Sequence, residues 1–552
     1  MDNFTEADQR ILSKFCTNTD KPIFALINLP EVVMGALFSR YSRSSKSLRR
    51  VLLDEFINNQ ESGFSDIVQT GKESGESQLV AIRKAEEFYE RVLVGYGDDS
   101  VAELGGAHIA CEDVSNIASK VLEDSRIGLS PLEKSTRYVY FNQKDANGKY
   151  SYYREPKIMQ TPLAPEYEST CNLLFDTYSK LIEPMTAYFT ERFPKDAQTT
   201  DRAYASAIRA KVCDNLRCLL PASAFTNVGI YGNGRAFEYL MLKMYSSDLA
   251  EIRLLASEMQ SELSKVIPSF VKRANDRYGQ PTQAYMKEVR GAIAKEADET
   301  GLNAKLQAEP NILPANSSMI SVELVDFDTD AERKALAALL FPHSTLSLSE
   351  IYAKIDSMPQ AEKEKLMLSY IGNRQNRRHR PGRAFENIHY TFSLLGNFGM
   401  YRDLHRHRQL TQERQLLTTL HGFEIPLELA DAGYEEEVKE CATAAHDTYA
   451  KLLAAGLKEE SQYVVPMGFL VRWYVTLTLR EAYHLIELRS MPQGHIDYRS
   501  MAQKMFLEIK KVHPLLASGM KFVDMSGSGL ERLDSEKKID AKLESLKQKY
   551  GK

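Results

Sequence analysis

Two kinds of hydrophobic spacing alternate along the chain. Apolar residues recur three and four apart in LAEIRLLASEMQSELSKVI (249–267) and EEEVKECATAAHDTYAKLLAAGL (435–457), which predicts helices with one buried face. Short β-branched and aromatic runs, ALINL (25–29), YVYF (138–141) and YTFSLL (390–395), predict strands. FNQKDANGKYSYYREPK (141–157) joins alternating tyrosines to Asn147-Gly148, the signal of a β-hairpin. The segment 286–312, whose end falls in TGLNAKLQAEPNILPANSS, is predicted as a linker, and the charged stretch 526–552 as a helix or frayed tail. No strand–helix–strand alternation carries a glycine fingerprint, which argues against a Rossmann fold. The pattern predicts an α+β fold, an antiparallel sheet flanked by helices.

The hydrophobic pattern also repeats. LSKVIPSF with Pro268 resembles LEIKKVHPLL with Pro514, and NLRCLLP ending at Pro221 resembles SQYVVP ending at Pro466. GALFSRYSRSS resembles AALLFPHSTLS, and GDDSVAELGGAHIA resembles RPGRAFENIHYTF, with Glu103 matching Glu386. The matches keep the same order in both halves, the mark of an internal duplication. Repeat one is placed at 20–285 and repeat two at 313–525.

Bulk composition narrows the function only by exclusion. A chain of 552 residues with net charge -5 has no overall electrostatic case for nucleic acid or anionic membrane, so any basic site must be local. The six cysteines show no paired spacing and read as reduced, packed thiols. No apolar run approaches the length of a membrane span and the N-terminus has no signal-peptide pattern, so a cytoplasmic location is expected.

The local basic chemistry is concentrated. Arg406-His407-Arg408 is a dense cationic triplet, and a second run, Arg377, Arg378, His379, Arg380 and Arg383, lies just before it. Either could be a solvated edge, but two such runs flanking an apolar strand favour an anionic ligand. Glu133, Ser135 and Arg137 put a carboxylate, a hydroxyl and a guanidinium within five residues. The latter two suit a phosphate; Glu133 would face a ribose hydroxyl instead. Arg217 and Arg489 are single arginines on apolar segments, which ordinarily close ion pairs, for Arg489 with Glu487 or Asp497. Asn233 and Arg235 sit where a glycine turn meets a helix, a place able to receive phosphate. His405 and His407 form an HxH pair, but the interleaved arginines oppose a metal cation.

Together these motifs resemble the flavin-dependent thymidylate synthases, the ThyX family: RHR at 406–408, EKSTRY at 133–138, and an arginine-bearing LR helix ending at Arg489. The resemblance covers both repeats. It implies two tandem ThyX-like domains forming an intrachain pseudo-dimer, with two chains pairing as a homodimer into a pseudo-tetramer. In the family each site lies between subunits. Carried over, one side of the nucleotide site is Arg406, Arg489 and Asp403, and the other is Glu133, Ser135, Thr136, Arg137 and Arg217. The first motif has lost its RHR (Ile127 stands at the last arginine) and the second has lost its tail (Leu416 and Thr418 replace Ser135 and Arg137). Complementary loss is what a fused dimer keeping one site predicts.

The same resemblance assigns His407, Arg408, Glu386, Arg383, Asn233 and Arg235 to FAD, with NADPH and methylenetetrahydrofolate as co-substrates. The implied reaction is one-carbon transfer to C5 of dUMP. There are departures. Arg383 stands where the family has Ser or Thr. Asp98 and Asp99 replace a Gly-His before Ser100 and Glu103. Asp403 stands where a glutamine is usual and leaves open a different pyrimidine nucleotide. A non-catalytic duplicate that binds nucleotide or nucleic acid through the basic runs is the remaining alternative.

Overall fold

The computed structural model describes residues 4–58, 101–125, 127–302, 304–315, 317–527 and 529–551. Asp98, Asp99, Ser100 and Arg126 lie outside them. The elements that frame the site begin with β1 (Gly106–Ser115), α1 (Asn116–Asp124), β2 (Leu129–Glu133), α2 (Ala164–Lys180), α3 (Asp201–Leu216) and β3 (Phe225–Asn233). Next come α4 (Gly234–Tyr245), α5 (Ala250–Leu263), α6 (Gly279–Glu299), β4 (Ser321–Phe327), β5 (His389–Asn397), α7 (Phe398–Leu404) and β6 (Leu410–Arg414). The last are α8 (Glu435–Ala454), β7 (Leu470–Thr478), α9 (Leu479–Arg489), α10 (Ile496–Val512) and α11 (Leu533–Tyr550).

The chain divides into two compact units. The first comprises residues 1–114, 118–134 and 226–303; the second comprises 115–117, 135–225 and 304–552. The first holds a three-stranded sheet of order β1-β3-β2. The second holds a four-stranded antiparallel sheet of order β4-β5-β7-β6. On β7 the alternation predicted for a half-covered strand is plain: Trp473, Val475 and Leu477 are buried while Arg472 and Tyr474 face out. Helix α10 packs on β4, α7 and α9.

The duplication is visible in each sheet. A strand, a short helix and a five-residue strand are followed by helices and then a nine-residue strand that inserts between the first two. The register agrees as well. Leu129 faces Gly232 and Glu133 faces Val228; Leu410 faces Leu477 and Arg414 faces Trp473. In both cases the short strand begins opposite the next-to-last residue of the long one. The helix that follows is capped alike: Asn233 accepts from Ala236 N–H and Thr478 from Glu481 N–H. Arg235 pairs with Glu103 at 2.8 Å in one repeat and Arg480 with Glu386 at 2.9 Å in the other.

Within the second unit, the chain around Pro221 pairs antiparallel with the chain around Pro466. Ala222 N–H donates to Val465 O and Met467 N–H to Leu220 O, both at 2.9 Å. Ser223 N–H donates to Tyr463 O at 3.0 Å and Gly468 N–H to Cys218 O at 2.9 Å. With Pro221 aligned on Pro466, each bond has its mate with donor and acceptor repeats exchanged, the reciprocity of a two-fold contact.

Four sequence expectations change. ALINL contributes a single bridge, Leu26 to Cys16. The predicted hairpin shrinks to one bridge, Lys144 to Tyr150, around a turn in which Gly148 has φ +73°. YVYF is not a strand: residues 136–138 turn, because Ser135 Oγ accepts from Arg137 N–H and Arg137 is tied to Asp214. The two periodic segments are helical as expected, in α5 and α8. The tail forms α11, and the segment read as a linker starts inside α6.

Candidate functional site

The end of α3 begins the site. Thr200 caps the helix at its start, and four residues span its C-terminal turn from Asp214 to Arg217. Arg137, from the turn after β2, reaches Asp214 with Nε at 2.6 Å and Nη2 at 2.7 Å, and gives Nη1 to the Tyr498 hydroxyl at 3.0 Å. Such a fork-on-fork pair holds a guanidinium in one orientation. Arg217 donates Nη1 to Asp403 Oδ2 at 3.0 Å. Gly399, on the same helix as Asp403, gives the guanidinium room: a Cβ there would lie 3.1 Å from Arg217 Nε. The other terminal nitrogen, Arg217 Nη2, is buried with no hydrogen-bond acceptor among the described residues.

Asp403 is the electrostatic centre. Burial alone would raise its carboxyl, but the cations of Arg217, Arg137, Arg406 and Arg489 outweigh that and hold it well below the usual carboxylate range. Four arginines from separate stretches thus converge on one carboxylate. Arg137 and Arg217 come from repeat one, Arg406 and Arg489 from repeat two, and all belong to the second unit. The two halves of the broken signature are brought together. Beside Arg217 opens a cavity of about 200 Å³ lined also by Asp214, Asn397, Glu424, His495 and Asp497.

His407 lies behind this cluster. The RHR segment is a turn in which Arg406 and Arg408 are exposed and His407 is buried. His407 Nδ1 is 2.8 Å from Glu481 Oε1, and Arg489 donates Nε to His407 Nε2 at 2.9 Å. Burial, then the neighbouring Arg489 cation, keeps His407 well below its usual range, so it is neutral. Burial pushes Glu481 up to about 7, against the pull of Arg380, Arg480 and Arg489. His407, Glu481 and His484 place three possible ligand atoms within 4.8 Å. Both His407 nitrogens are engaged, however, and Arg377, Arg380 and Arg489 depress His484, after burial, to about 4, an environment that disfavours a metal cation.

The remaining sequence candidates fall in several places. Ser135 is half-buried, and Thr136 accepts from Arg402 Nη1 at 3.2 Å. Glu133 belongs to the first unit, buried against Lys120 at 3.0 Å, which also pairs with Glu123. Asn233 is a helix cap and Arg235 holds Glu103, both also in the first unit. Glu386 is shared by Arg480 and Arg383, the latter at 3.0 Å with its side chain 86% exposed. Arg489 closes neither predicted ion pair. Glu487 instead holds Arg374 through two contacts of 2.6 Å, anchoring the basic loop that exposes Arg378 and Arg380, and Asp497 accepts from Asn397.

Sequence reasoning missed Asp214, Tyr498, Arg402 and Glu481. Asp214 was within reach, since it stands three residues before Arg217 on a helical pattern and so shares its face; nothing in the sequence marked the others. All six cysteines are buried, and burial pushes Cys171 and Cys213 up to about 12, so neither is poised as a thiolate.

The family described as "Thymidylate synthase complementing protein" matches residues 50–269 and 323–515, one segment in each half. The chain belongs to this family. A UPF0159 protein of Chlamydia pneumoniae is 44% identical over 97% of this chain and 98% of that one. A flavin-dependent thymidylate synthase of Sulfurisphaera tokodaii is 32% identical over 24% of this chain and 54% of its own. Among solved structures, a UMP/dUMP methylase of Streptomyces cacaoi bound with 5-Br dUMP covers 37% of this chain and 96% of its own, at 18% identity and a TM-score of 0.31. EKSTRY at 133–138 lies within the first matched segment and RHR at 406–408 within the second. No helix among the described residues is long and apolar enough to cross a membrane.

Proposed function

We propose that the chain is a flavin-dependent thymidylate synthase that transfers a one-carbon unit from methylenetetrahydrofolate to C5 of dUMP, with NADPH and FAD supplying the reducing equivalents. The observation that carries this is the arginine cluster around Asp403. Four guanidiniums (Arg137, Arg217, Arg406, Arg489) against two carboxylates (Asp214, Asp403) leave two positive charges. A nucleotide monophosphate dianion carries the matching charge. It would also supply the acceptor that buried Arg217 Nη2 lacks. Because Asp403 is ionised and paired with Arg217, it serves the arginines rather than the base edge. That supports a uracil nucleotide over the amino-bearing base that its replacement of glutamine leaves open.

In this mechanism Arg137 and Arg217 fix the phosphate from one bank, with Ser135 and Thr136 adding hydroxyls. Arg406 and Arg489 orient the nucleotide from the other. The cysteines take no part, their thiols being buried and held protonated. The donor set fits FAD at its phosphates: exposed Arg383 and Arg408, with Glu386 and Arg480 behind Arg383, suit a pyrophosphate. His407 fits less well, since a bond to a flavin would require it to release Glu481 or Arg489. When bound, FAD supplies the hydride chemistry and the protein supplies charge and orientation.

The reciprocal bonds across Pro221 and Pro466, both in the second unit, support an intrachain pseudo-dimer of repeats 20–285 and 313–525; the pairing of two chains into a pseudo-tetramer is part of the proposal and rests on the family resemblance. The test is direct. Purified protein should carry flavin absorbance and form dTMP from dUMP and methylenetetrahydrofolate. Arg217→Ala and Arg406→Ala should each weaken dUMP binding by about 2–4 kcal/mol. Unchanged affinity in both variants, or colourless protein that takes up no FAD, would overturn the proposal.

A further inference from the structure

Helix α9 presents two charged side chains to the RHR turn, Glu481 in its first turn and Arg489 at its last residue. His407 stands between them, and its two ring nitrogens meet one each: Nδ1 with Glu481 Oε1 at 2.8 Å, Nε2 with Arg489 Nε at 2.9 Å. The proton count follows from arginine chemistry. Arginine can only donate, so Nε2 must be a bare acceptor and the single proton of the neutral ring must sit on Nδ1, donated to Glu481. The carboxylate therefore selects the tautomer, and the tautomer provides the acceptor for Arg489. With Nε held from behind, the terminal end of the Arg489 guanidinium is directed away from His407, toward Tyr498 and Asp403. Its guanidinium lies 5.6 Å from the Tyr498 ring, and its charge reaches Asp403.

We propose that Glu481 is a positioning residue of the nucleotide site: through the Nδ1–H tautomer of His407 it aims Arg489 at the substrate. This rests on the proposed nucleotide role of Arg489. The surroundings leave the device little freedom. Arg380 from the basic loop and Arg480 on the same helix face Glu481, and the His484 ring lies 5.4 Å from His407. Without Glu481 the imidazole is free to carry its proton on Nε2. Donor would then face donor, and Arg489 would lose its anchor while every group that touches substrate remained present. Sequence spacing conceals the relation, because Glu481 stands 74 residues from the histidine it orients.

The experiment uses full-length protein with ¹⁵N-labelled histidine, the His407 signals being assigned through His407→Gln, and dUMP titrated in parallel. Wild type should show a neutral His407 protonated at Nδ1. Glu481→Gln keeps an acceptor for that proton, so it should retain the tautomer and bind dUMP within about twofold of wild type. Glu481→Leu should lose the tautomer and bind dUMP about tenfold more weakly. An Nε2–H or doubly protonated His407 in wild type overturns the relay, and needs no variant to fold. A tautomer change in Glu481→Leu with unchanged dUMP affinity overturns the positioning role. Wild type that shows the Nδ1–H tautomer but binds no dUMP overturns the nucleotide reading, and the positioning role with it, while leaving the hydrogen-bond geometry intact.

Discussion

Asp403 shows how one residue's role depends on what surrounds it. In the chain it is a carboxylate beside an RHR motif, where a direct contact with a base is the natural expectation. In the fold it pairs with Arg217 and lies in the field of Arg137, Arg406 and Arg489, which together hold it ionised against burial. Asp403→Asn keeps the shape and removes the charge. Breaking a buried ion pair by taking one partner away typically costs about 3 kcal/mol or more, so the unliganded variant should melt earlier than wild type. Because the removed group repels phosphate, dUMP should bind the variant at least as tightly. Calorimetric melting with and without dUMP checks both, and a fall in affinity would mean that Asp403 touches the nucleotide itself. Arg137 carries the complementary lesson. Its motif was legible as a phosphate binder, but its pairing with Asp214, 77 residues away, was not. Chain separation erases the signal that proximity makes decisive.

At the level of elements, the strongly periodic segments were readable and the turns were not. Helices α5 and α8 follow from apolar spacing alone, because a helix with one buried stripe is determined by its own sequence and a generic core. YVYF has the composition of a strand but forms none, because Arg137 immediately before it is tied to Asp214 in a turn over 136–138, a tertiary tether that overrides local preference. Helix α9 has its own pH signature. Burial first, and then Arg380, Arg377 and Arg489, holds His484 down to about 4 from an ordinary value of 6.5. The folded ring is neutral where the unfolded one takes up a proton. The stabilisation is therefore complete above about pH 6.5 and is lost as pH falls toward about 4. His407 shifts in the same direction. Glu481, held up to about 7 by burial, works in the opposite direction over much of the same range, so His484 is read from a difference: denaturant midpoints should fall more steeply with falling pH in wild type than in His484→Asn. Identical slopes would show that His484 titrates normally.

Over the whole molecule, duplication and asymmetry coexist. The sheets repeat one another in strand order and register, and the ladder at Pro221 and Pro466 repeats donor for acceptor. The ligand groups do not repeat. Where Ser135, Arg137 and Arg217 stand in repeat one, repeat two has Leu416, Thr418 and Gln462. There Gln462 Oε1 is taken up by Leu417 N–H at 3.0 Å and faces Arg414 Nη1 at 3.4 Å, an internally satisfied arrangement. Titration calorimetry should accordingly find one dUMP per chain; two per chain would show that the second set of positions still binds.

The sequence by itself determined the repeat, the long helices, the buried thiols and the residue types of an anion site. Periodicity, motif order and side-chain chemistry are local properties that survive without coordinates. Only the tertiary structure decided that the two incomplete motifs share one carboxylate, that Arg137 is held by Asp214, and that His407 faces Glu481 and Arg489. Those facts depend on groups 74 to 186 residues apart meeting within hydrogen-bond distance in a buried, weakly screened setting, where position sets which charges pair and which nitrogen holds a proton.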